Sequence, residues 1–582
     1  MVLLILYLIP FAFLLWFVTE FGVNVPYADQ WALVPLFQSI ISGKATFHDF
    51  FVQHNEHRIL FSKLIISALA LISGWNIQWE LYFSVALIAT TFLLLFKVSF
   101  NQTKQRNCIF HIANISTSFI IFSVIQWENL LWGFQICWFL TNVCLTVAIL
   151  ALSSNFYSTL RLKLAVAALA CFIASFSIAH GLLTWIAVIP SLRSCYRDAR
   201  QFRKASLIWI ILFSITCFLY FIDYHRPFHQ PDLWLFLKKP DVAATYFLTL
   251  FGSPLLYQSY FSGVLGFAVL LNFGFFAVRY IQKTGSKFSN DAAPWISLGC
   301  FALLFGLTTT VGRIELGQAN TSRYTTVTIL LIIALVQLWR LIWQVASTTA
   351  DPTAEINSAD NQQNASISTF FIGIITSLVL ITSINSLTAA EGFRSGLKYG
   401  QACLDVAEYI VRTPNNYCLR FLNPSSANTV VTRAKDLNQI GFRNFPGKTI
   451  EFIAEPTRGY GYLETPAISK SPITVRRNCL NCGMITVSGW AILPEQAKPA
   501  RLIFLSYAQN PDFFLTNAYV NLSSPDVAKV LGTERYNQAR WQAAISPKLL
   551  PLGKTVFRAW VYDPDGKQFV RLRGELALSV EE

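Results

Sequence analysis

VLLILYLIPFAFLLWFV (residues 2–18), followed by NVPYADQWALVPLFQSIISGKATFHDFFVQHNEHRILFSKLIISALALISGW (residues 24–75), decides how this chain reads. The first stretch is apolar throughout and close to the ~20 residues needed to cross a bilayer. It carries no Lys or Arg, and Thr19-Glu20-Phe21-Gly22 offers no small-residue cleavage site, so it reads as a retained helix rather than a signal peptide. The second stretch is a long polar and aromatic loop that ends in a further apolar segment, Ile59 to Ile72.

Moving outward, apolar blocks recur at about 80–98, 109–125, 130–152, 163–178, 181–193, 206–224, 258–279, 294–311, 324–344 and 368–388, which gives about eleven spans. Of the 582 residues, 54% are hydrophobic and only 13% charged, against roughly 25% charged in soluble proteins. One buried core does not need so many apolar blocks, so the fold class is an α-helical polytopic membrane protein. Beyond residue 388 the pattern changes to soluble alternation. The expected domains are 1–388 (with 20–78 as a first outer loop carrying interfacial helices), a mixed α/β region 389–470, and a β-sandwich-like region 471–582.

The net charge of +14 does not point to nucleic acid. No Lys/Arg-rich run with interleaved aromatics lies on a soluble face, as such a footprint requires. The cations sit instead in alternate short loops: Lys97, Lys104 and Arg106; Arg161 and Lys163; Arg193, Arg197, Arg200, Arg203 and Lys204; Arg279, Lys283 and Lys287; and Arg340. Those loops are expected on the cytoplasmic side, with the N-terminus inside and the C-terminal domain outside. Six of the seven histidines, His48, His54, His57, His180, His225 and His229, then fall on the outer side. So do Asp29, Asp49, Glu56, Glu128, Asp223, Asp232, Asp241 and Glu315, which directs the search for chemistry to that face.

Within the first outer loop, Asp29 follows the first span between Tyr27 and Trp31, where a carboxylate is costly unless it faces water or a partner. It could equally cap the next helix. Residues 31–42 have an apolar face suited to the membrane interface. Gln53-His54-Asn55-Glu56-His57-Arg58 then places several polar side chains ahead of an apolar helix. It reads either as a site or as a solvated helix start. The cluster lacks the HExxH spacing that puts two imidazoles on one helical face, so no metal is assigned to His54 and His57.

The C-terminal third contains ITVSGWAIL, ARLIFLSY, a Pro-Leu-Gly-Lys turn, TVFRAWVY, Asp-Pro-Asp-Gly and LALSV, a succession of strands and turns. Asp565-Gly566 marks a hairpin. A helix is expected near 395–412 and a short strand at Thr429-Val430-Val431. The region beyond residue 388 has no histidine, which removes a His-dependent hydrolase. Trp490, Tyr507, Trp541 and Trp560 suit a core better than a glycan face. Cys403, Cys418, Cys479 and Cys482 permit disulfides 403–418 and 479–482, with a zinc site or free thiols as alternatives.

PYADQW and HNEHRILF occupy positions that make the layout resemble the GT-C class of membrane glycosyltransferases, which take sugars from polyprenyl-phosphate carriers. QWENLLWGFQ (126–135), SIAHGLLTW (177–185), FGSPL (251–255) and GRIELGQANTSRYTT (312–326) resemble a bacterial subgroup with an exported C-terminal domain. The resemblance implies an inverting transfer at the outer face of the cell membrane to an envelope glycan, lipid or protein acceptor. It places Asp29 where the class has its catalytic or metal-linked acidic residue, as general base toward the acceptor hydroxyl, with Glu56 as the nearby second carboxylate. Arg58, Arg313 and Arg323 become the donor-phosphate ligands, because guanidinium matches phosphate bidentately. His54, His57, Glu128 and Tyr324 complete the candidates. Two readings compete there: Glu128 as an interfacial residue and Arg323 as a snorkelling one. Relatives often pair two acids after the first span, whereas Gln30 follows Asp29 here. A metal is therefore not assigned, although the class admits a divalent cation. The rival functions are a flippase for lipid-linked glycan and a non-catalytic envelope assembly protein.

Overall fold

The computed structural model describes residues 2–103, 107–153, 159–196, 198–227, 232, 234–257, 261–283, 286–315, 318–348, 356–406, 417–443, 451–464, 473–477, 484–507, 513–563, 565–566 and 568–582. The chain divides into two compact units. One comprises Met1–Asn24 and Lys44–Gly392, the other Val25–Gly43 and Phe393–Glu582. Residues 25–43, placed by sequence within the membrane half, thus fold with the C-terminal unit.

Among the described residues the apolar blocks of the first unit are largely helical, and the protein is a multi-pass membrane protein. Among the described residues nine helices are long and apolar enough to cross a bilayer: Val2–Phe21, Ile77–Gln102, Cys108–Leu130, Gly133–Ser153, Ala199–Phe221, Ser262–Gln282, Phe288–Arg313, Ser322–Trp343 and Ser366–Asp405. Two of the eleven blocks carry no helix of that length among the described residues. The helix Leu160–Ser175 has 16 residues, about 24 Å at 1.5 Å each, short of the ~30 Å apolar layer. Block 181–193 breaks into Ala179–Leu183, Thr184–Ala187 and Ile189–Cys195, with Pro190 near the start of the last piece.

Two features show how the bundle closes. A Cβ on Gly252 would lie 1.6 Å from the Ser262 carbonyl oxygen, and one on Gly266 would lie 1.8 Å from that of Leu248. The helices Pro240–Gly252 and Ser262–Gln282 therefore cross backbone to backbone, as small residues allow in membranes. The second feature corrects the reading of Arg340 as a loop cation. It is fully buried inside the helix Ser322–Thr348. Its guanidinium donates to Gln337 Oε1 (2.7 Å), Thr103 Oγ1 (2.8 Å) and Gln102 Oε1 (2.8 Å). The buried charge is tolerated because polar side chains of its own helix and of the end of the helix Ile77–Gln102 meet its donors.

The second unit is strand-rich. Its strands are β1 (Glu451–Ile453), β2 (Gly461–Glu464), β3 (Ile473–Arg476), β4 (Ile485–Leu493), β5 (Lys498–Pro499), β6 (Leu502–Tyr507), β7 (Phe513–Leu522), β8 (Arg540–Ile545), β9 (Gly553–Asp563), β10 (Gln568–Arg571) and β11 (Leu576–Glu581). They run in the order β1-β10-β9-β6-β7-β8-β4-β2, with β11 joining β9 to β3 and β5 paired to β4. The ladder passes from β6 to β8 through the long β7, whose register slips between Val520 and Leu522. Val487, Leu505, Trp541, Phe557 and Val561 share one core. Trp541 is fully buried there, as composition suggested. The Asp565-Gly566 hairpin joins β9 to β10, and Asp563 Oδ1 accepts from the Asp565 amide at 3.2 Å to set the turn.

Thr429-Val430-Val431 lies in a helix, Ala427–Gln439, not a strand. Ser426 caps it by accepting from the Thr429 amide, and Val430, Ala434 and Leu437 line one buried face, so periodicity outweighs β-branching. The helix expected at 395–412 is observed up to Asp405 as the end of the helix Ile356–Asp405, and residues 407–412 lie outside the described residues. The interfacial helix of residues 31–42 is observed as Val34–Ile41. Its apolar side is covered by protein within this unit: Val34, Leu36 and Phe37 are buried, and the Phe37 ring lies 5.6 Å from that of Phe442.

Cys403 and Cys418 form a disulfide, while Cys479 and Cys482 lie outside the described residues. The bridge closes a separation of 15 residues, for which loop closure is worth about 3 kcal/mol. Cys403→Ser in the full chain is expected to lower the stability of the C-terminal unit by about that amount. Urea unfolding in detergent with and without reductant checks this, and a reductant-insensitive wild type would contradict it.

Candidate active site

The QHNEHR segment folds as a tight reverse turn. The His54 amide donates to the His57 carbonyl (2.8 Å) and the His57 amide to that of His54 (2.9 Å). Asn55 occupies the left-handed region at φ 49°, which Asn tolerates better than most residues. Glu56 is therefore carried at the tip of the turn.

The base of the turn is moored by Arg58, which is 3% exposed. Its Nε donates to the Tyr220 carbonyl (2.6 Å), one terminal nitrogen to that of Phe51 (2.9 Å), and the other to that of Ile222. The Tyr220 hydroxyl donates to the Glu56 carbonyl at 3.2 Å. Gln53 adds a reciprocal pair with the backbone of His225, at 2.6 and 3.0 Å. Burial pushes the Arg58 guanidinium below its ordinary value. Its fork is directed at three carbonyls, which makes it the anchor of the loop.

Held this way, the Glu56 carboxylate forms an ion pair with Arg313, the last residue of the helix Lys287–Arg313. His57 Nε2 lies 3.6 Å from the same carboxylate oxygen. The Ala179 amide donates to His57 Nδ1 at 3.4 Å, which assigns the proton of the neutral ring to Nε2, facing Glu56. His54 packs 5.1 Å from the Phe134 ring.

Glu56, His57 and Arg313 line a cavity of about 540 Å³ together with Trp138, His180, Leu182, Leu183, Tyr220, Tyr224, Phe305, Thr308 and Tyr324. Most of its wall is apolar or aromatic, with the charges grouped on one side. Glu128 and Arg323 form a second ion pair at 2.9 Å. Around it, Asn129 donates to the Arg323 carbonyl (2.9 Å) and Ser322 to that of Ile125 (2.7 Å). QWENLLWGFQ and the SRYTT end of GRIELGQANTSRYTT are thereby joined, and Tyr324 reaches the cavity wall.

Asp29 lies in the other unit, half-buried in the short 3₁₀ helix Ala28–Leu33. Ala28 before it adopts φ 47°, unfavourable for a residue with a Cβ, while its amide donates to the Leu422 carbonyl at 2.7 Å. Trp31, expected at a membrane interface, is fully buried. Among the described residues no group of three His, Cys, Asp or Glu side chains converges as a metal site.

Residue-type reasoning did not single out His180, Trp138 or Tyr220 as site residues. The signal for His180 was its segment, SIAHGLLTW. The segment turns tightly because a Cβ on Gly181 would lie 1.8 Å from the Ala174 carbonyl oxygen. The imidazole of His180 then packs 4.7 Å from Trp138 and 5.1 Å from Phe305, and burial pushes it down to about 3.

These features define a class, a multi-pass membrane protein with a strand-rich C-terminal unit and an apolar-walled cavity edged by a carboxylate, an imidazole and a guanidinium. No family model matches the sequence, and no curated protein matches it. Among solved structures the chain is similar to the crystal structure of ArnT from Cupriavidus metallidurans bound to undecaprenyl phosphate. The likeness covers 78% of this chain and 81% of that one, at 10% identity and a TM-score of 0.34. A likeness that shallow adds nothing to the chemistry of the cavity.

Two outcomes are expected from this geometry. Arg58→Ala leaves buried carbonyls without donors, at about 1–3 kcal/mol for each unsatisfied group, and should lower the melting temperature sharply in detergent. Arg313→Ala, at a pair still partly open to solvent, should lower it far less, and equal losses would refute the anchor role. The second outcome concerns pH. The ordinary histidine value of 6.5 applies to the unfolded chain, whereas His180 in the fold sits at about 3. Between those values the unfolded chain binds a proton that the folded chain refuses, so stability falls as pH drops below 6.5. Thermal unfolding across that window should show a shallower loss for His180→Phe than for wild type, and identical slopes would exclude it.

Proposed function

We propose that the protein is a membrane glycosyltransferase that moves a sugar from a polyprenyl-phosphate carrier to an envelope glycan, lipid or protein acceptor at the outer face of the membrane. The observation that carries this reading is the Glu56–Arg313 pair on the edge of an apolar-walled cavity. A lipid phosphate needs both halves of that arrangement, a cation for its head and apolar surface for the chain beside it.

In the reaction the acceptor hydroxyl oxygen attacks the anomeric carbon as the bond from that carbon to the phosphate oxygen breaks, with inversion. The leaving polyprenyl phosphate gathers negative charge, which Arg313 stabilises by exchanging Glu56 for phosphate. Arg323 is the second candidate for that role, after release from Glu128. Arg58 keeps its carbonyls and positions Glu56. The hydroxyl proton passes to a carboxylate acting as general base. Glu56, freed when Arg313 turns to phosphate, is supported by geometry, whereas Asp29 rests on its position after the first span.

The flippase reading predicts ionisable groups along a transport path within the spans. The candidate acids and arginines lie instead at helix ends and in turns, which favours transfer. A pure anchor has no use for the cavity. The orientation proposed, N-terminus cytoplasmic and C-terminal unit extracytoplasmic, follows the Lys/Arg bias of the loops.

The test is release of polyprenyl phosphate by the purified full chain from a panel of polyprenyl-phosphate sugars with acceptor present. Wild type is expected to turn over, and loss of the base should reduce the rate by about 10²–10⁴-fold. A loss of that size in Glu56→Gln assigns the base to Glu56, and one in Asp29→Asn alone assigns it to Asp29. Wild type that binds lipid-linked sugar yet releases nothing across the panel overturns the transferase in favour of the flippase.

A further inference from the structure

Asp29 is placed by main-chain geometry that lies wholly within the C-terminal unit. Ala28 before it has φ 47°, in the left-handed region where a Cβ is unfavourable, and such a conformation persists only where its surroundings over-determine it. Here the Ala28 amide donates to the Leu422 carbonyl at 2.7 Å. Gln30 and Trp31, the two residues after Asp29, are fully buried, and the Tyr27 amide donates to Gln30 Oε1 at 3.0 Å. Leu422 is itself held. Its amide donates to the Leu419 carbonyl at 3.0 Å, in the turn that follows the short helix Tyr417–Arg420. Its side chain fits against Gly400, where a Cβ would lie 2.6 Å from Leu422 Cγ. Cys418 of the short helix is bridged to Cys403, in the last turn of the helix that carries Gly400. Asn517 of β7 accepts from the Tyr399 hydroxyl and donates to Cys418 Sγ at 3.7 Å, which fastens the bridge to the sheet.

We propose that the Cys403–Cys418 bridge and Leu422 are positioning groups for Asp29, a clamp that fixes the direction of its carboxylate for the transfer reaction. This rests on the transferase reading with Asp29 in its machinery, and it gives the C-terminal unit a part in the chemistry. The strained residue stands next to the one charged side chain of the segment Val25–Gly43, so the strain acts where a direction matters. Its restraint is a carbonyl four residues beyond Cys418, so loosening the bridge loosens the bond that holds Ala28. Released from Leu422, Ala28 relaxes to negative φ, and that rotation swings the Asp29 side chain to a new direction. Both sulfurs are buried, so the bridge is a fixed clamp and not a switch open to reductants in solution.

The test joins hydrogen exchange with turnover, both on the full chain in detergent. Cys403→Ala combined with Cys418→Ala should raise the exchange rate of the Ala28 amide about tenfold, while the amides of β6 and β9 keep theirs. Release of polyprenyl phosphate from the panel of polyprenyl-phosphate sugars should fall about tenfold to 10²-fold in kcat, with KM for the donor unchanged. In an Asp29→Asn background the same bridge variant should cost nothing further. Gly400→Ala keeps the bridge and suits the helix, but its Cβ displaces Leu422. It should give the same two effects, and it decides the matter if the cysteine variant does not fold. Unchanged exchange at Ala28 in folded variants overturns the clamp, as does a loss of rate that persists in full in Asp29→Asn. Asp29→Asn that turns over as wild type does overturns it too, and leaves the transferase standing with Glu56 as base. Wild type that releases nothing from any donor removes the transferase reading itself, and the exchange rates alone then uphold or overturn the clamp.

Discussion

Hydrocarbon offers no hydrogen bonds, so in the membrane unit every backbone amide and carbonyl must be satisfied from within the protein. That constraint makes the apolar blocks helical. It also dictates where helices can stop. Irregular backbone is tolerated at this depth only where protein covers it or a cavity adjoins it. In three irregular stretches, at residues 53–58, 122–135 and 176–188, side chains bond backbone carbonyls within the stretch or facing it. Ser322 takes up the Ile125 carbonyl, Asn129 that of Arg323, Thr184 that of Gly181, and Arg58 those of Phe51, Tyr220 and Ile222. The breaks at 53–58 and 176–188 supply Glu56, His57 and His180 to the cavity wall. The cavity thus lies where the helical rule is relaxed, and the side chains that repair the backbone also hold the reactive ones.

The two buried arginines show how one residue type answers different demands. Arg340 sits inside a span, where Gln337, Gln102 and Thr103 accept its hydrogen bonds and tie two helices together. Arg58 is met by main-chain carbonyls and fixes a loop. Arg313, by contrast, faces a single carboxylate that a phosphate can replace. What separates an anchor from a ligand is therefore the partner. A carbonyl has no alternative partner once buried, whereas a carboxylate at the mouth of a cavity can return to water or accept a proton.

Much of the architecture was legible because it follows from transfer free energy and periodicity. The spans appear as apolar blocks, and the hairpin at Asp565-Gly566 as turn chemistry. The cases that were misread are those in which local and tertiary signals compete. Thr429-Val430-Val431 has β-branched side chains yet lies on the buried stripe of a capped helix. Val34, Leu36 and Phe37 form an apolar face that a lipid surface and a protein surface satisfy equally well, and the C-terminal unit supplied the protein. Arg340, read as a loop charge, is inside because partners far away in sequence receive it.

For the candidate site the division is sharper. Sequence alone determined that the chain crosses the membrane repeatedly, that a strand-rich region follows, and that His, Glu and Arg are concentrated in the QHNEHR and GRIELGQANTSRYTT segments, because composition and periodicity are local properties. Tertiary structure alone decided that Glu56 meets Arg313 while Arg58 turns to carbonyls, that Asp29 folds with the distant C-terminal third, and that the His180 ring is enclosed by Trp138 and Phe305. Those outcomes depend on which groups compete for each donor and acceptor once the chain is packed, and that competition takes place between residues hundreds of positions apart.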